Sequence, residues 1–236
     1  HQSNVFGTVN PINEIIDEAK KVDAITVIDG AQAVPHMKVD IEDLDCDFYA
    51  FSGHKMLGPT GIGVVWGKKE LLENMDPVYG GGDMIEEVYY DKATWAPIPH
   101  KFEAGTPPYV EAIGLGAAVD YLSDLTMAEV QKHSDHLRLY AKNSLEKING
   151  LNIIHTDAEN AGCTFAMSVD GAHATDISLM LDTYGVAVRA GHHCVQPFHR
   201  KLKIDATFRA TGYIYNDEKD FDTLANAIEE SLKILR

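Results

Sequence analysis

The chain has 236 residues, enough for one large domain or two ordinary ones, and its 45% hydrophobic composition is typical of a globular protein. Its 36 acidic and 20 basic residues give a formal net charge of -16, which disfavours nucleic-acid and anionic-membrane surfaces and favours a small soluble substrate or a protein partner. No apolar run approaches the roughly 20 residues that span a bilayer, no signal-peptide pattern opens the chain, and three cysteines are too few for a disulfide framework. We therefore expect a cytoplasmic protein.

The first half of the chain has the pattern of an α/β layer. Asn10 as N-cap and Pro11 at the first helical position predict the start of a helix. The segment 79–108 has strong loop signals and little periodicity, and long irregular loops are often functional or interfacial. β-branched and aromatic runs predict three strands, over residues 24–28, 48–51 and 61–66.

From about residue 109 the pattern changes to an α+β layer. Helices are predicted over residues 109–122, 126–147 and 176–184, and a last helix is predicted to start at an N-cap, Asn216. Strands are predicted over residues 151–155, 163–169, 186–189 and 207–215. We therefore predict a large domain over residues 1–121 and a small C-terminal domain over residues 122–236.

Polar side chains follow the first two predicted strands. Asp29 and Gln32 follow one strand, and Ser52, His54 and Lys55 follow the next. Ligands of open α/β sheets collect at the carboxyl ends of strands, where a hydroxyl and an imidazole can bind a phosphate. A lysine amine there can form a Schiff base with an aldehyde. Most lysines are solvated surface charges, so this short motif alone leaves a purely structural interpretation open.

A second cluster surrounds Cys194, which follows a predicted strand and runs into Pro197. We expect this cysteine on a loop, where basic neighbours such as Arg189 favour the nucleophilic thiolate. The alternatives are a buried structural cysteine or a metal site. Adjacent histidines diverge on an extended chain and no second Cys/His pair stands at ligand spacing, so we expect no metal. The metal site would be built from Cys194 with His192, His193 and His199.

Six motifs taken together resemble the SufS-type cysteine desulfurases, a branch of the class V aminotransferase family with the fold-type-I pyridoxal-phosphate (PLP) architecture. The resemblance runs from end to end of the chain in matching order. It implies a large mixed-sheet α/β domain, partial here, and a smaller C-terminal α+β domain. The motifs are Asp29-Gly30-Ala31-Gln32-Ala33, Ser52-Gly53-His54-Lys55, Gly58-Pro59-Thr60-Gly61, Phe102-Glu103-Ala104-Gly105-Thr106-Pro107, Arg189-Ala190-Gly191-His192-His193-Cys194 and Arg209-Ala210.

The resemblance implies roles in catalysis and substrate binding. Lys55 is the Schiff-base lysine, and Cys194 is the nucleophile that takes sulfur from L-cysteine and holds it as a persulfide. Arg209 matches the arginine that binds the substrate carboxylate, Asn4 lies beside the cofactor and Arg189 lines the site. Cys46 and Cys163, which lie inside or beside apolar strands, are expected to be inert core thiols.

The resemblance also implies the residues that bind the cofactor, pyridoxal 5'-phosphate. Asp29 faces the pyridine nitrogen and keeps it protonated, while Gln32 donates to the phenolic oxygen. Ser52 and His54 bind the phosphate. Thr106 reaches the phosphate of the partner subunit in a homodimer.

Members of this family are longer at the N-terminus, and the preceding part carries a helix N-terminus that receives the phosphate and a histidine that stacks on the pyridine ring. Because the chain also begins without Met, we expect it to be part of a longer protein.

The resemblance implies that a SufE-like or SufU-like protein accepts the persulfide sulfur. Enzymes that serve SufU have a histidine just before the position of Asp176. Here Thr175 takes that position, which favours SufE. Two alternatives stay open: a selenocysteine lyase, and an inactive fragment for dimerisation or acceptor binding.

Overall fold

The structure, a computed structural model, describes residues 1–154 and 160–235. Backbone packing divides the chain into two compact units. The unit that contains Lys55, the lysine unit, joins residues 11–35 and 39–124. The unit that contains Cys194, the cysteine unit, joins residues 1–10 and 36–38 to the part of the chain from 125 onward. The domain limits 1–121 and 122–236 stay a prediction.

A three-stranded sheet lies at the centre of the lysine unit. Its strands, in spatial order, are β1 (Val27–Asp29), β2 (Phe48–Ser52) and β3 (Gly63–Gly67). β1 and β2 run parallel, with Asp29 opposite Ala50, while β3 runs antiparallel to β2. A separate antiparallel pair consists of β4 (Ile85–Val88) and β5 (Ala93–Trp95).

Helices pack against this sheet through an apolar stripe. In the first helix, Ile12 and Ile16 lie one turn apart and pack on Ile28, Cys46 and Tyr49, so burial of one helix face fixes the helix on the sheet. Short 3-10 helices cover Gly53–Met56 and His100–Phe102. The α-helices are α1 (Ile12–Lys20), α2 (Ile41–Leu44), α3 (Lys69–Asn74) and α4 (Tyr109–Leu125).

The cysteine unit has a four-stranded antiparallel sheet in the order β6-β7-β9-β8, formed by Leu151–Ile153 (β6), Thr164–Val169 (β7), Arg189–Gly191 (β8) and Thr207–Thr211 (β9). Its helices are α5 (Met127–Leu145), α6 (Ala174–Thr183), α7 (Gln196–Leu202) and α8 (Glu218–Leu235). The predicted end of the β6 strand, His155, lies outside the described residues.

The core of the cysteine unit lies between one face of its sheet and the helices. Phe165 and Met167 of β7 stand opposite Ala210 and Phe208 of β9, and all four join a cluster with apolar residues of α5, α6 and α8. Because successive side chains of a strand point to opposite faces, Arg209 and its alternate neighbours lie on the face away from this core. That second face carries the candidate site.

Two boundaries differ from the sequence prediction because the groups expected to form them make other hydrogen bonds. The side chain of Asn10 donates to the carbonyl oxygen of His1 at 3.2 Å, and Pro11 takes the N-cap position of α1 without a side-chain hydrogen bond. The predicted strand 186–189 pairs only from residue 189 onward. The N–H of Val186 donates to the end of α6 instead, at 3.0 Å.

None of the described helices is long and apolar enough to cross a membrane.

Candidate active site

The carboxyl ends of β1 and β2 bring an acidic group and a turn together in the lysine unit. Asp29 ends β1, and its Oδ1 accepts a hydrogen bond from the N–H of Ala31 at 2.9 Å, which holds the carboxylate in the turn. The N–H of Gly30 donates to Ala50 at 2.8 Å. A Cβ on Gly30 would lie 1.9 Å from the buried ring of Tyr49, so only glycine fits this close approach.

The 3-10 helix Gly53–Met56 follows β2 without an intervening loop. It places His54 and Lys55 two and three residues after Ser52, so a hydroxyl, an imidazole and an amine lie at one strand end. Lys55 and Ser52 are half-buried, whereas His54 is exposed. The N–H of Gly53 donates to Ile62 at 2.9 Å, which fastens the start of this turn to the segment before β3.

The remaining predicted cofactor residues also belong to the lysine unit. Gln32 is half-buried in the turn after β1. Thr106 is exposed between the 3-10 helix His100–Phe102 and α4. The structure therefore gathers Asp29, Ser52 and the residues that follow them at the carboxyl ends of two neighbouring parallel strands, and it leaves Thr106 on a separate loop.

Two arginines stand directly opposite each other in the cysteine unit. Arg189 of β8 pairs with Arg209 of β9. Arg189 is exposed, and half-buried Arg209 donates through Nη1 to the carbonyl oxygen of Asn4 at 2.5 Å. Burial lowers the pKa of Arg209, nearby Arg189 lowers it further, and Cys194 opposes the shift. The buried Nε of Arg209 has no hydrogen-bond partner among the described residues, so this guanidinium keeps a donor for an anion.

Cys194 differs from the two other cysteines in exposure. All three are free thiols, but Cys46 is 0% exposed and Cys163 is 2% exposed, whereas Cys194 lies on the surface. Burial raises the pKa of Cys163 to about 12 and also raises the pKa of Cys46. A thiol that stays protonated and inaccessible is a poor nucleophile, so Cys194 is the reactive candidate.

The backbone at Cys194 adopts an uncommon conformation. Cys194 and the preceding His193 both have positive φ angles, 67° and 51°. Two hydrogen bonds hold this turn: Nδ2 of Asn4 donates to the carbonyl oxygen of His193 at 2.9 Å, and the N–H of Val195 donates to His192 at 2.9 Å. Left-handed residues other than glycine persist where the surroundings fix them, and they concentrate at functional sites.

Three buried polar side chains lie at or beside this turn: Thr207, which was not predicted as a site residue, and His193 and His199, which were considered only as ligands of the alternative metal site. Thr207 is 1% exposed, and its hydroxyl lies 3.0 Å from Nε2 of His193 and 3.0 Å from Nε2 of His199. Strand alternation gives a signal for Thr207, since it lies two residues before Arg209 and shares its face. No group of three or more metal-binding side chains occurs in the ranges 1–154 and 160–235.

The chain belongs to the class-V aminotransferase family. The family model described as Aminotransferase class-V matches residues 1–224. A relative from Halalkalibacterium halodurans, named a probable cysteine desulfurase, is 48% identical over 231 residues, which is 98% of this chain and 56% of the relative. The chain thus spans little more than half the length of that curated relative.

Solved structures are similar over the whole chain. The cysteine desulfurase CsdA from Escherichia coli is 40% identical with a TM-score of 0.94, and the match covers 100% of this chain and 58% of that one. The apo cysteine desulfurase from Thermococcus onnurineus is 34% identical with a TM-score of 0.94 and covers 100% of this chain and 59% of its own. The predicted family and the predicted mixed α/β fold class are confirmed.

Proposed function

We propose that the protein containing this chain is a PLP-dependent cysteine desulfurase, with Cys194 as the sulfur acceptor in the reaction. The observation that carries the proposal is the exposed Cys194 thiol in a left-handed turn, which Asn4 connects to Arg209 through hydrogen bonds to both Arg209 and His193. A half-buried arginine with an unpartnered buried donor suits a carboxylate, and a neighbouring exposed thiol suits a reaction with the bound molecule's sulfur. The names of the relatives support the same assignment.

The residues of the lysine unit fit pyridoxal phosphate by their donor set. Ser52 and His54 offer hydroxyl and ring N–H donors to a phosphate, and the amine of Lys55 suits an aldehyde. The carboxylate of Asp29, held by Ala31, suits a protonated pyridine nitrogen, and the Gln32 amide suits the phenolic oxygen. When bound, the cofactor supplies an electron sink for the electrons released at the substrate's α-carbon.

The chain's own residues account for the remaining steps. Arg209 and Asn4 orient the substrate, with Arg209 binding the carboxylate of L-cysteine and Arg189 adding positive charge beside it. Lys55 holds the cofactor and then moves the α-proton through its Nζ atom. The Cys194 thiolate attacks the sulfur of L-cysteine, the Cβ–S bond breaks and an S–S bond forms. Protonation of the carbon fragment gives L-alanine, and the protein keeps a persulfide on Cys194 without any external oxidant or reductant.

The finer assignment follows the SufS branch. We propose that the persulfide passes to a SufE-like or SufU-like acceptor protein for iron–sulfur cluster assembly in the cytoplasm. We also propose a homodimer in which Thr106 reaches the phosphate bound by the partner subunit. Exposed apolar side chains on α4, including Val110 and Ile113 at 64% and 73% exposure, support an interface on this helix.

The proposed function is tested with the complete natural protein, purified with PLP and supplied with L-cysteine. We expect stoichiometric alanine and persulfide, and loss of both products in Cys194→Ala. Full sulfur release by Cys194→Ala would contradict the proposal. Cys46→Ala is the matched control because this thiol is buried in the lysine unit. Comparing the rates on L-cysteine and L-selenocysteine then separates a desulfurase from a selenocysteine lyase.

A further inference from the structure

The hydrogen-bond partners of His199 fix where its proton lies. Its Nδ1 lies 3.3 Å from the carbonyl oxygen of Val195, which can only accept, so Nδ1 carries the hydrogen. Nε2 lies 3.0 Å from the hydroxyl of Thr207. In a neutral ring Nε2 is then an acceptor, and the hydroxyl of Thr207 donates to it.

The partners of His193 fix its proton in the same way. Its Nε2 lies 3.2 Å from the carbonyl oxygen of Thr207 and 3.0 Å from the hydroxyl oxygen. The carbonyl oxygen can only accept, so Nε2 carries the hydrogen and Nδ1 is bare. Nδ1 is buried and has no partner among the described residues. Burial, with a contribution from Arg209, lowers the pKa of His193 to about 4, which keeps this ring neutral near pH 7.

These contacts form a closed hydrogen-bond circuit that includes Cys194. From Cys194 the circuit runs along the backbone to Val195, by a hydrogen bond to His199, through the hydroxyl of Thr207 and back through His193. The hydroxyl of Thr207 is the link between the two sides, since it accepts from one imidazole and donates to the other. Both imidazoles are buried, at 2% and 3% exposure, and so hold fixed positions.

We propose that His193, Thr207 and His199 are positioning residues that hold the left-handed turn at Cys194 and so orient its thiol beside Arg209. This inference rests on the proposed function, because orientation of the thiol has a consequence only if Cys194 accepts sulfur. Two successive residues with positive φ need support from their surroundings. The hydrogen-bond circuit contacts the chain on both sides of Cys194 and so supplies this support. In this proposal the three side chains act through Cys194.

The first test reads the proton positions without any substrate. Nitrogen-15 spectra of the histidine rings in the complete wild-type protein report which ring nitrogen carries hydrogen. We expect His193 as the neutral Nε2–H form near pH 7, and we expect Nδ1 of His199 to carry hydrogen, as its contact with the carbonyl oxygen of Val195 requires. A doubly protonated His193 ring, or a bare Nδ1 on His199, overturns the proposal, and this result needs no variant to fold.

The second test removes the linking hydroxyl. Thr207→Val keeps the branched shape, Thr207→Ser keeps the hydroxyl, and Thr211→Val is the matched control at the exposed end of the same strand. We expect Thr207→Val to raise the hydrogen-exchange rate of the Val195 amide by about tenfold, and Thr207→Ser and Thr211→Val to keep the wild-type rate. An unchanged exchange rate in Thr207→Val overturns the proposal.

The third test connects the turn to the reaction. In the complete protein with PLP, we expect Thr207→Val to lower kcat for alanine formation by about tenfold with KM for L-cysteine within about twofold, because thiol orientation affects a step after binding. Thr207→Ser should restore kcat. Equal kcat in all variants contradicts the positioning role. A wild-type protein that makes no alanine contradicts the proposed function instead. In that case the hydrogen-exchange and nitrogen-15 results still test whether the hydrogen-bond circuit holds the turn.

Discussion

The guanidinium of Arg209 donates through Nη1 to the carbonyl oxygen of Asn4, 2.5 Å away, while its Nε remains buried without a partner in the described part of the chain. Asn4 in turn donates through Nδ2 to the carbonyl oxygen of His193 at 2.9 Å. One short N-terminal segment therefore connects the candidate carboxylate-binding arginine to the residue that precedes Cys194. The candidate carboxylate-binding residue and the candidate nucleophile are thus connected within the cysteine unit.

Replacing Arg209 by Lys should weaken substrate binding while keeping the positive charge. An ammonium cannot donate to Asn4 and also grip a carboxylate in the two-pronged geometry of a guanidinium. We expect KM for L-cysteine to rise about 10- to 100-fold, with a smaller change in kcat. Steady-state kinetics measure this, with Arg200→Lys on the exposed surface of α7 as the control. An unchanged KM would remove Arg209 from the substrate site.

Lys55 should be the lysine that borohydride fixes to pyridoxal phosphate. Reduction of the complete protein followed by peptide mass analysis should locate the adduct at this residue, and Lys55→Ala should lose the adduct. The same variant should lose at least about 100-fold in alanine formation, because general acid–base catalysis at the α-carbon is removed. Lys69→Ala, which changes an exposed lysine of α3, should behave as wild type. An adduct on a different lysine would refute the assignment.

Gly30→Ala should destabilise the lysine unit. The new Cβ would lie 1.9 Å from the Tyr49 ring, which is 1% exposed and has little room to move. We expect a loss of about 3 kcal/mol in the free energy of unfolding, the size typical of an overpacked core. Gly116→Ala is the control, since Gly116 lies in α4 and its added Cβ meets nothing within 4 Å apart from its chain neighbours and the nearby backbone of its own helix. That change should gain about 0.5 to 1 kcal/mol from helix propensity, measured by urea unfolding.

His36 should make the cysteine unit sensitive to acid. Burial lowers the pKa of His36 from 6.5 to about 4, so between these values the unfolded chain binds a proton that the folded chain does not. Stability therefore falls as the pH falls through this window, by about 3 kcal/mol for one group. His36→Phe keeps the edge contact with Tyr213, whose ring centroid is 4.6 Å away, and removes the titration.

Urea unfolding at several pH values measures the effect of His36. The loss of stability between pH 6.5 and about 4 should be smaller in His36→Phe than in wild type. His100→Gln, at an exposed histidine, should follow wild type across the same range. Parallel curves for His36→Phe and wild type would show that this histidine does not titrate differently on folding.

Local sequence patterns predicted those strands and helices that are determined by their own residues. The aromatic run before Ser52 predicted a strand, and this strand, β2, pairs with β1 on one side and β3 on the other. Val186 was predicted to begin a strand, yet its N–H closes the end of α6. Asn216 was predicted to cap the last helix, yet its Oδ1 accepts from Tyr213, and Asp217 makes the capping contacts to the first N–H groups of α8. Such boundaries depend on which of several neighbouring hydrogen-bond partners a group contacts in the folded chain.

Contacts between distant positions are a second class that sequence spacing could not predict. Asn4 and Arg209 are 205 positions apart, and only the folded chain joins them. The contacts of Thr207 with His193 and His199 likewise depend on α7 following the Cys194 turn, and no helix was predicted over Gln196–Leu202. The identities of Cys194 and Arg209 came from motifs, whereas the hydrogen bonds that orient them came from the structure.

The most direct test of the account is the mass of the Cys194 peptide after one turnover of the complete protein with L-cysteine. We predict one added sulfur on Cys194 and one equivalent of L-alanine, with no added sulfur on Cys46 or Cys163, whose thiols are buried. Cys194→Ser should give neither product above background. Alanine formed at the wild-type rate by Cys194→Ser, or sulfur found on another cysteine, would contradict the account.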